Sequence, residues 1–307
     1  MSINPPPFRF ARVSLGSETP EIPVADIQGQ SPGKTLLITG GSDGDEYVGM
    51  EAAYQLVAEF SSGNFAGRLI IIPILNVPGF NAGCSQNPLD QKFVKAVFPG
   101  AAWGSATDKL VAWLTATYIR KTNVWLDLHG GAITERLHPY LWTFETGVAE
   151  ADTFTARFLQ TVSADFFVQE RVGWLSKATR LAKFGCAYFM AESGERGERN
   201  QHDIGRHILW AKQTMALLEM IPAFEAPKAD RTIFRNVSFC LAPFDGIWHP
   251  INSFPTRVKK GVELGRCVSL DGSRTQTMYA PEDGTVLWWR YVMPMQRGDV
   301  LCAAGAE

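Results

Sequence analysis

Asp43 and Glu46 stand three residues apart in a glycine-rich turn, Thr39-Gly40-Gly41-Ser42-Asp43-Gly44-Asp45-Glu46, where a short apolar run gives way to a helix-like one. An i,i+3 pair at such a junction can aim both carboxylates at one cation. His129 closes a second apolar run, Val124-Trp125-Leu126-Asp127-Leu128-His129-Gly130-Gly131. Two carboxylates and an imidazole suit a catalytic zinc, which takes three protein ligands and keeps one position for water. Each residue also has a plainer reading. Acidic residues favour helix N-termini, so Asp43 and Glu46 could cap the helix that follows, and His129 could be a satisfied turn residue. Asp127 lies two residues before His129 and therefore on the same strand face. It is placed either to orient the imidazole or to bond nearby backbone.

These residues need a scaffold, and the pattern supplies one. Residues 34–39, 68–75, 124–129, 140–144 and 186–192 read as strands; residues 47–60, 105–120, 148–162 and 201–220 read as helices. Ser105 followed by Asp108 is a capping signature. Strands alternating with helices imply a mixed, mainly parallel sheet flanked by helices. Active sites in such sheets lie beyond the carboxyl ends of the strands, and Asp43, Glu46, His129 and Glu192 all fall there. Glu192 is also followed by Glu195, Arg196, Glu198 and Arg199, so it could belong to a solvated charged loop. His202, Arg206 and His207 have helical spacing and read as helix surface, not as a second metal site.

The chain has 307 residues, 46% of them hydrophobic, enough for a sizeable core in one or two domains. A net charge of −2 argues against a nucleic-acid surface. No apolar run approaches the roughly 18 residues of a membrane span, and the first residues lack the blocks of a signal peptide. Five scattered cysteines without a CxxC suit reduced thiols and a cytoplasmic setting. Residues 221–230 look like a linker between a first domain, residues 1–225, and an all-β module, residues 231–307. In that module Ala242-Pro243-Phe244-Asp245-Gly246 returns as Ala280-Pro281-Glu282-Asp283-Gly284, and Val258-Lys259-Lys260-Gly261 returns in outline as Met295-Gln296-Arg297-Gly298, offsets of 38 and 37 residues. A unit too small to bury its own apolar face would pack against its copy. The pattern resembles the biotinyl/lipoyl-type barrel-sandwich. Carrier domains of that type present a lysine in a Met-Lys-Met hairpin; here Asp271-Gly272-Ser273-Arg274-Thr275 has none, which implies a structural or gating role.

Taken together, Gly40–Glu46, the segments Pro73-Ile74-Leu75-Asn76-Val77-Pro78-Gly79-Phe80, Asn87-Pro88-Leu89-Asp90, Val97-Phe98-Pro99-Gly100, Asp127-Leu128-His129 and Ala191-Glu192-Ser193-Gly194 resemble the succinylglutamate desuccinylase/aspartoacylase family. That resemblance spans roughly residues 34–305. It implies a zinc-carboxypeptidase-like catalytic domain, one zinc per chain, and a small-molecule N-acyl substrate. Glu46 and His129 match the family's metal ligands, whereas Asp43 stands where the family has its first histidine. A second anion makes metal-bound water less acidic and favours harder ions such as manganese or magnesium. Glu192 matches the glutamate that moves a proton from water to the leaving amine. The substrate side departs further. The family's arginine before Pro-x-Asp is absent from Gly83-Cys84-Ser85-Gln86, and its Asn-Arg pair corresponds to Lys95-Ala96. Lys95, Ser85 and Asn76 are the candidates for substrate contact, although Lys95 reads more readily as an ordinary surface lysine. Losing one oxyanion donor typically costs about 10²–10³ in rate.

Two readings follow. In the first, the chain is a metal-dependent amidohydrolase holding its ion on Asp43, Glu46 and His129, with Glu192 as base and acid. In the second, it is a non-catalytic relative that keeps the fold and binds a ligand or partner. Homo-oligomerisation is open in both.

Overall fold

The computed structural model describes residues 8–225, 229–251 and 255–306. The expected linker's residues 226–228, and the first seven residues of the chain, lie outside the described residues. In chain order the strands of the first part are β1 (Phe8–Arg12), β2 (Glu21–Gln28), β3 (Ser31–Gly40), β4 (Ala66–Ile72), β5 (Val124–His129), β6 (Glu135–Leu137), β7 (Tyr140–Glu145), β8 (Phe166–Arg171), β9 (Ala187–Glu192) and β10 (Thr232–Phe234). The helices are α1 (Tyr47–Phe60), α2 (Val77–Ala82), α3 (Ala106–Thr117), α4 (Ala149–Thr161), α5 (Lys177–Ala182) and α6 (Gln201–Leu217).

All but β6 form one nine-stranded sheet in the order β1-β2-β4-β3-β5-β9-β7-β8-β10. Its centre, β4-β3-β5-β9, is parallel; β7 runs against β9, and β1 and β2 run antiparallel at the edge. Every residue of β5 is buried, as a strand covered on both faces must be. Side chains alternate between the faces. Leu36, Ile38, Leu126, Leu128 and Phe189 pack with residues of α1, α4 and α6. Leu37, Trp125 and Tyr188 pack with residues of α3 and α5 on the other side.

The expected elements are present, with shifted ends. The strand expected to reach residue 75 stops at Ile72, because Pro73 has no N–H for the ladder. α3 starts behind Ser105, whose backbone N–H (3.2 Å) and hydroxyl (2.7 Å) both donate to Asp108. It ends at Thr117, where a 3₁₀ turn over Ile119–Lys121 takes over.

Beyond β10 come β11 (Asn236–Leu241), β12 (Gly246–Pro250), β13 (Arg257–Val258), β14 (Glu263–Val268), β15 (Thr275–Tyr279), β16 (Gly284–Arg290), β17 (Pro294–Met295) and β18 (Val300–Ala306). They make two antiparallel sheets, β11-β18-β16-β13 and β15-β14-β12-β17. The pairings cross over: β12 pairs with β14 and β17, and β16 pairs with β18 and β13. Asp245 accepts from the Arg297 N–H at 2.7 Å, and Asp283 from the Lys260 N–H at 2.8 Å. Two strands tie the parts together. β6 pairs antiparallel with β16, and β10 pairs parallel with β8 in the large sheet.

Candidate functional site

β3, β5 and β9 are neighbours, and the turn after β3 brings its carboxylates back over their ends. In register, Thr39 faces Asp127 and His129 faces Glu192. Gly41 begins the turn at φ +60°, a conformation that favours glycine. Gly44 lies against the backbone of α2, where a Cβ would come within 2.2 Å of the Gly79 carbonyl carbon. The turn therefore reverses sharply enough to bury Asp43, Asp45 and Glu46.

Asp43, Glu46 and His129 can each direct one ligand atom to a common point, these atoms lying within 4.8 Å of one another. It is the one such metal-ligand group among the described residues. Glu46 precedes α1 but makes no capping bond with its side chain. Its Oε2 lies 2.8 Å from His129 Nδ1 and accepts from the Gly130 N–H at 3.1 Å. The far nitrogen, His129 Nε2, is 3.1 Å from Asp127 Oδ2. Asp127 thus orients the imidazole, leaving Nδ1 facing Glu46 and Asp43. Asp43 Oδ1 is a buried oxygen without a hydrogen-bond partner, and such an atom is costly unless a cation or donor satisfies it. Two carboxylates, an imidazole held from behind and an orphaned buried oxygen fit a divalent ion.

The charges of the cluster shift one another. Burial raises the Glu46 carboxyl well above its ordinary range, with Asp43 and Glu192 adding and His129 opposing. Burial opposes the His129 charge, but Asp127 and Glu46 outweigh it and raise the ring well above 6.5. Burial pushes Glu192 up to about 7, against the pull of His129 and Lys95. Lys95, on a 3₁₀ turn over Val94–Ala96, donates to Asp43 Oδ2 at 2.6 Å. Burial works against its charge, yet Asp43, Glu46 and Glu192 hold its proton more firmly than in a free lysine. Asp43 and Lys95, two of the positions at which the sequence resemblance breaks, are therefore in direct contact.

Asp43, Glu46, Lys95 and Glu192, with His129 buried behind Glu46, line a cavity of about 570 Å³. Its walls include Phe93, Glu135, Tyr140, Trp142, Phe144 and, from the C-terminal strands, Trp288 and Arg290. Ser85 also lines it, but its hydroxyl is spent on Asp45 at 2.7 Å. Asn76 is wholly buried away from the cavity. Its Oδ1 accepts from the Gly79 N–H that opens α2, and its Nδ2 donates to the Ser85 carbonyl, so it shapes the turn bearing Ser85.

The reading of His202, Arg206 and His207 as helix surface needs correction. His202 is exposed, but His207 is fully buried, its Nε2 3.3 Å from the Ser193 carbonyl. Burial pulls its pKa down to about 4. The sequence reading also missed the cavity aromatics. Tyr140, Trp142 and Phe144 recur every second residue of β7, a one-faced aromatic stripe that could have marked a wall.

Fold and site together define a protein class. A model of the succinylglutamate desuccinylase/aspartoacylase catalytic domain matches residues 32–218, and the chain belongs to that family. Among curated proteins it is similar to the N-alpha-acetyl-L-2,4-diaminobutyric acid deacetylase of Halomonas elongata, 36% identical over 119 residues. That stretch covers 39% of this chain and 34% of the relative, about a third of the relative's length. Among solved structures it is similar to the product-bound ectoine utilization protein EutE (DoeB) from Ruegeria pomeroyi, with TM-score 0.85, 22% identity, and coverage of 98% of this chain and 94% of that one. A succinylglutamate desuccinylase/aspartoacylase from Rhodobacter sphaeroides gives TM-score 0.82 at 20% identity, with the same coverage of each chain. At these identities the structural likeness is one of fold.

Proposed function

We propose that the chain is a metal-dependent hydrolase that removes an acyl group from an N-acylated small molecule. The observation that carries this is the convergence of Asp43, Glu46 and His129 beside Glu192, at the edge of a cavity that the three carboxylates line. Asp43, Glu46 and His129 would hold the ion, with Asp127 fixing the imidazole; zinc suits the donor set, and the two carboxylates also admit manganese. When bound, the ion supplies Lewis acidity to the acyl carbonyl and makes water a better nucleophile. Glu192 takes the proton as the water oxygen adds to the acyl carbon, then returns it to the amine nitrogen as the C–N bond breaks. Burial raises this carboxyl above its ordinary range in the metal-free chain, which favours a group that both takes up and returns a proton near neutral pH. Lys95 keeps a cation beside the ligands, and the aromatic walls exclude bulk water. The relative named as a deacetylase of N-alpha-acetyl-diaminobutyrate supports an N-acetylated amino compound as the first substrate to test.

The division into a catalytic part, residues 1–225, and a biotinyl/lipoyl-like barrel-sandwich, residues 231–307, belongs to the same proposal. The crossed pairings of β12 and β16 support it. Free cysteines throughout suit a reducing compartment such as the cytoplasm, and no helix among the described residues is long and apolar enough to cross a membrane.

One observation favours the non-catalytic reading: the Lys95 ammonium already neutralises one oxygen of Asp43 at 2.6 Å. Elemental analysis decides between them. About one ion per chain, lost in both His129→Ala and Glu46→Ala, together with release of acetate from N-acetylated amines, is the expected result. No bound ion after incubation with zinc or manganese would leave the binding-protein reading.

A further inference from the structure

A polar seam runs through the otherwise apolar face of the sheet toward α5. From β5 and β9, Trp125, Asp127, His129 and Tyr188 all point to that face, joined by Thr39 of β3. Asp127 Oδ2 accepts from Tyr188 at 3.1 Å as well as from His129, and its Oδ1 accepts from the Thr39 and Ser42 hydroxyls. The Tyr188 hydroxyl in turn accepts from the Lys177 ammonium at 2.8 Å. That ammonium sits over the faces of two rings, 4.0 Å from the centroid of Tyr188 and 4.3 Å from that of Trp125. Trp125 closes the set by donating to the Thr39 hydroxyl at 2.7 Å.

We propose that Lys177 and Tyr188 are positioning residues for the metal centre, acting through Asp127 to fix the ring of His129 with Nδ1 toward the ion. This deepens the proposed function and rests on it. The reason is the saturation of Asp127. A carboxylate that accepts from four donors through both of its oxygens, as Asp127 does from Thr39, Ser42, His129 and Tyr188, loses freedom to rotate. An anion fixed in this way accepts a hydrogen bond from the imidazole Nε2–H, and the lone pair for a metal is then on Nδ1. Lys177 acts through Tyr188: its ammonium donates to the Tyr188 hydroxyl at 2.8 Å and polarises that hydroxyl toward Asp127. No side chain of the seam other than His129 belongs to the candidate ligand set, so the seam can be altered without removing a ligand.

The test is a chelator-competition titration of zinc into metal-free wild type, Tyr188→Phe, Lys177→Met and the double variant, with the melting temperature of each metal-free protein recorded alongside. Partners behind a metal-bound histidine typically change affinity by about 10–100-fold; one bond further out, about threefold to tenfold weaker binding is expected for Tyr188→Phe. Lys177→Met should weaken binding in the same direction, the double variant should be no worse than Tyr188→Phe, since one chain is cut twice, and Lys177→Arg should restore affinity. Variants that bind zinc like wild type while melting lower would reduce the seam to packing and overturn the proposal. Losses that simply add in the double variant would also overturn it. A wild-type chain that binds no ion would overturn the metal-dependent reading itself, and the wild-type titration makes that outcome distinct.

Discussion

Glu192 is the residue on which the proposed chemistry turns, and its burial has a measurable signature in the metal-free protein. Its carboxyl sits near 7 instead of the ordinary 4.5. Below pH 4.5 it is neutral in folded and unfolded chains alike and carries no penalty. As pH rises from 4.5 to 7 the unfolded chain ionises it freely while the folded one holds its proton, so stability is lost over that range. Metal-free Glu192→Gln should therefore match wild type near pH 4.5 and exceed it by roughly 3 kcal/mol at pH 8 in urea titrations. The same variant should lose about 10²–10⁴ in kcat with KM little changed; retention of activity within tenfold would remove Glu192 from the proton transfers. Asp43 and Lys95 make a paired prediction. Asp43→His alone leaves the Lys95 ammonium facing an ion without its counter-charge, so zinc affinity should fall. Adding Lys95→Asn should recover it beyond either single variant. A single Asp43→His that binds tighter than wild type would show that the 2.6 Å ion pair does not govern the site.

At the scale of elements, α6 carries a buried titratable group under the loop that follows Glu192. His207 is held near 4 by burial, against an ordinary 6.5. Above pH 6.5 it is neutral in both states and stability is complete; as pH falls from 6.5 toward 4 the unfolded chain takes up the proton and the folded state weakens. Wild type should lose about 2 kcal/mol more than His207→Gln between pH 7 and pH 5. Parallel slopes in denaturant titrations over that range would show that His207 does not titrate on unfolding. That histidine also marks where sequence stops informing structure. Periodicity places His207 on α6, but which face is covered depends on the loop after β9. Continuous apolar runs made β3, β5 and β9 legible, and strand ends made Asp43, Glu46, His129 and Glu192 legible. β1 alternates poorly because it is mostly exposed at an edge, and α5 is too short for a helical period. Tyr188, Lys177 and the Lys95–Asp43 pair meet only through cross-strand register and loop closure, neither of which is written locally.

For the whole molecule, the exchange of strands decides how it unfolds. β6, from the turn after His129, completes a sheet made otherwise of residues beyond 235, while β10 extends the large sheet beside β8. Between these two strands lies a small core in which Tyr140 and Val168 of the large sheet meet Phe234 of β10 and Leu287 of β16. Phe234 is fully buried, and the Gly305 backbone lies so close to its ring that a Cβ there would come within 2.5 Å. The same junction sets Trp288 and Arg290 into the cavity wall. Opening either sheet alone would strip pairing from the other, so the metal-free chain should show one calorimetric transition with equal calorimetric and van't Hoff enthalpies. Phe234→Ala should lower that single transition by roughly 3 kcal/mol, the usual loss for a buried phenylalanine. Because the cavity wall depends on the same contact, the variant should also raise KM more than it lowers kcat. Two resolved transitions in wild type, or a Phe234→Ala protein that splits into two, would mean that the C-terminal strands fold apart from the large sheet and that the wall they lend to the site can open on its own.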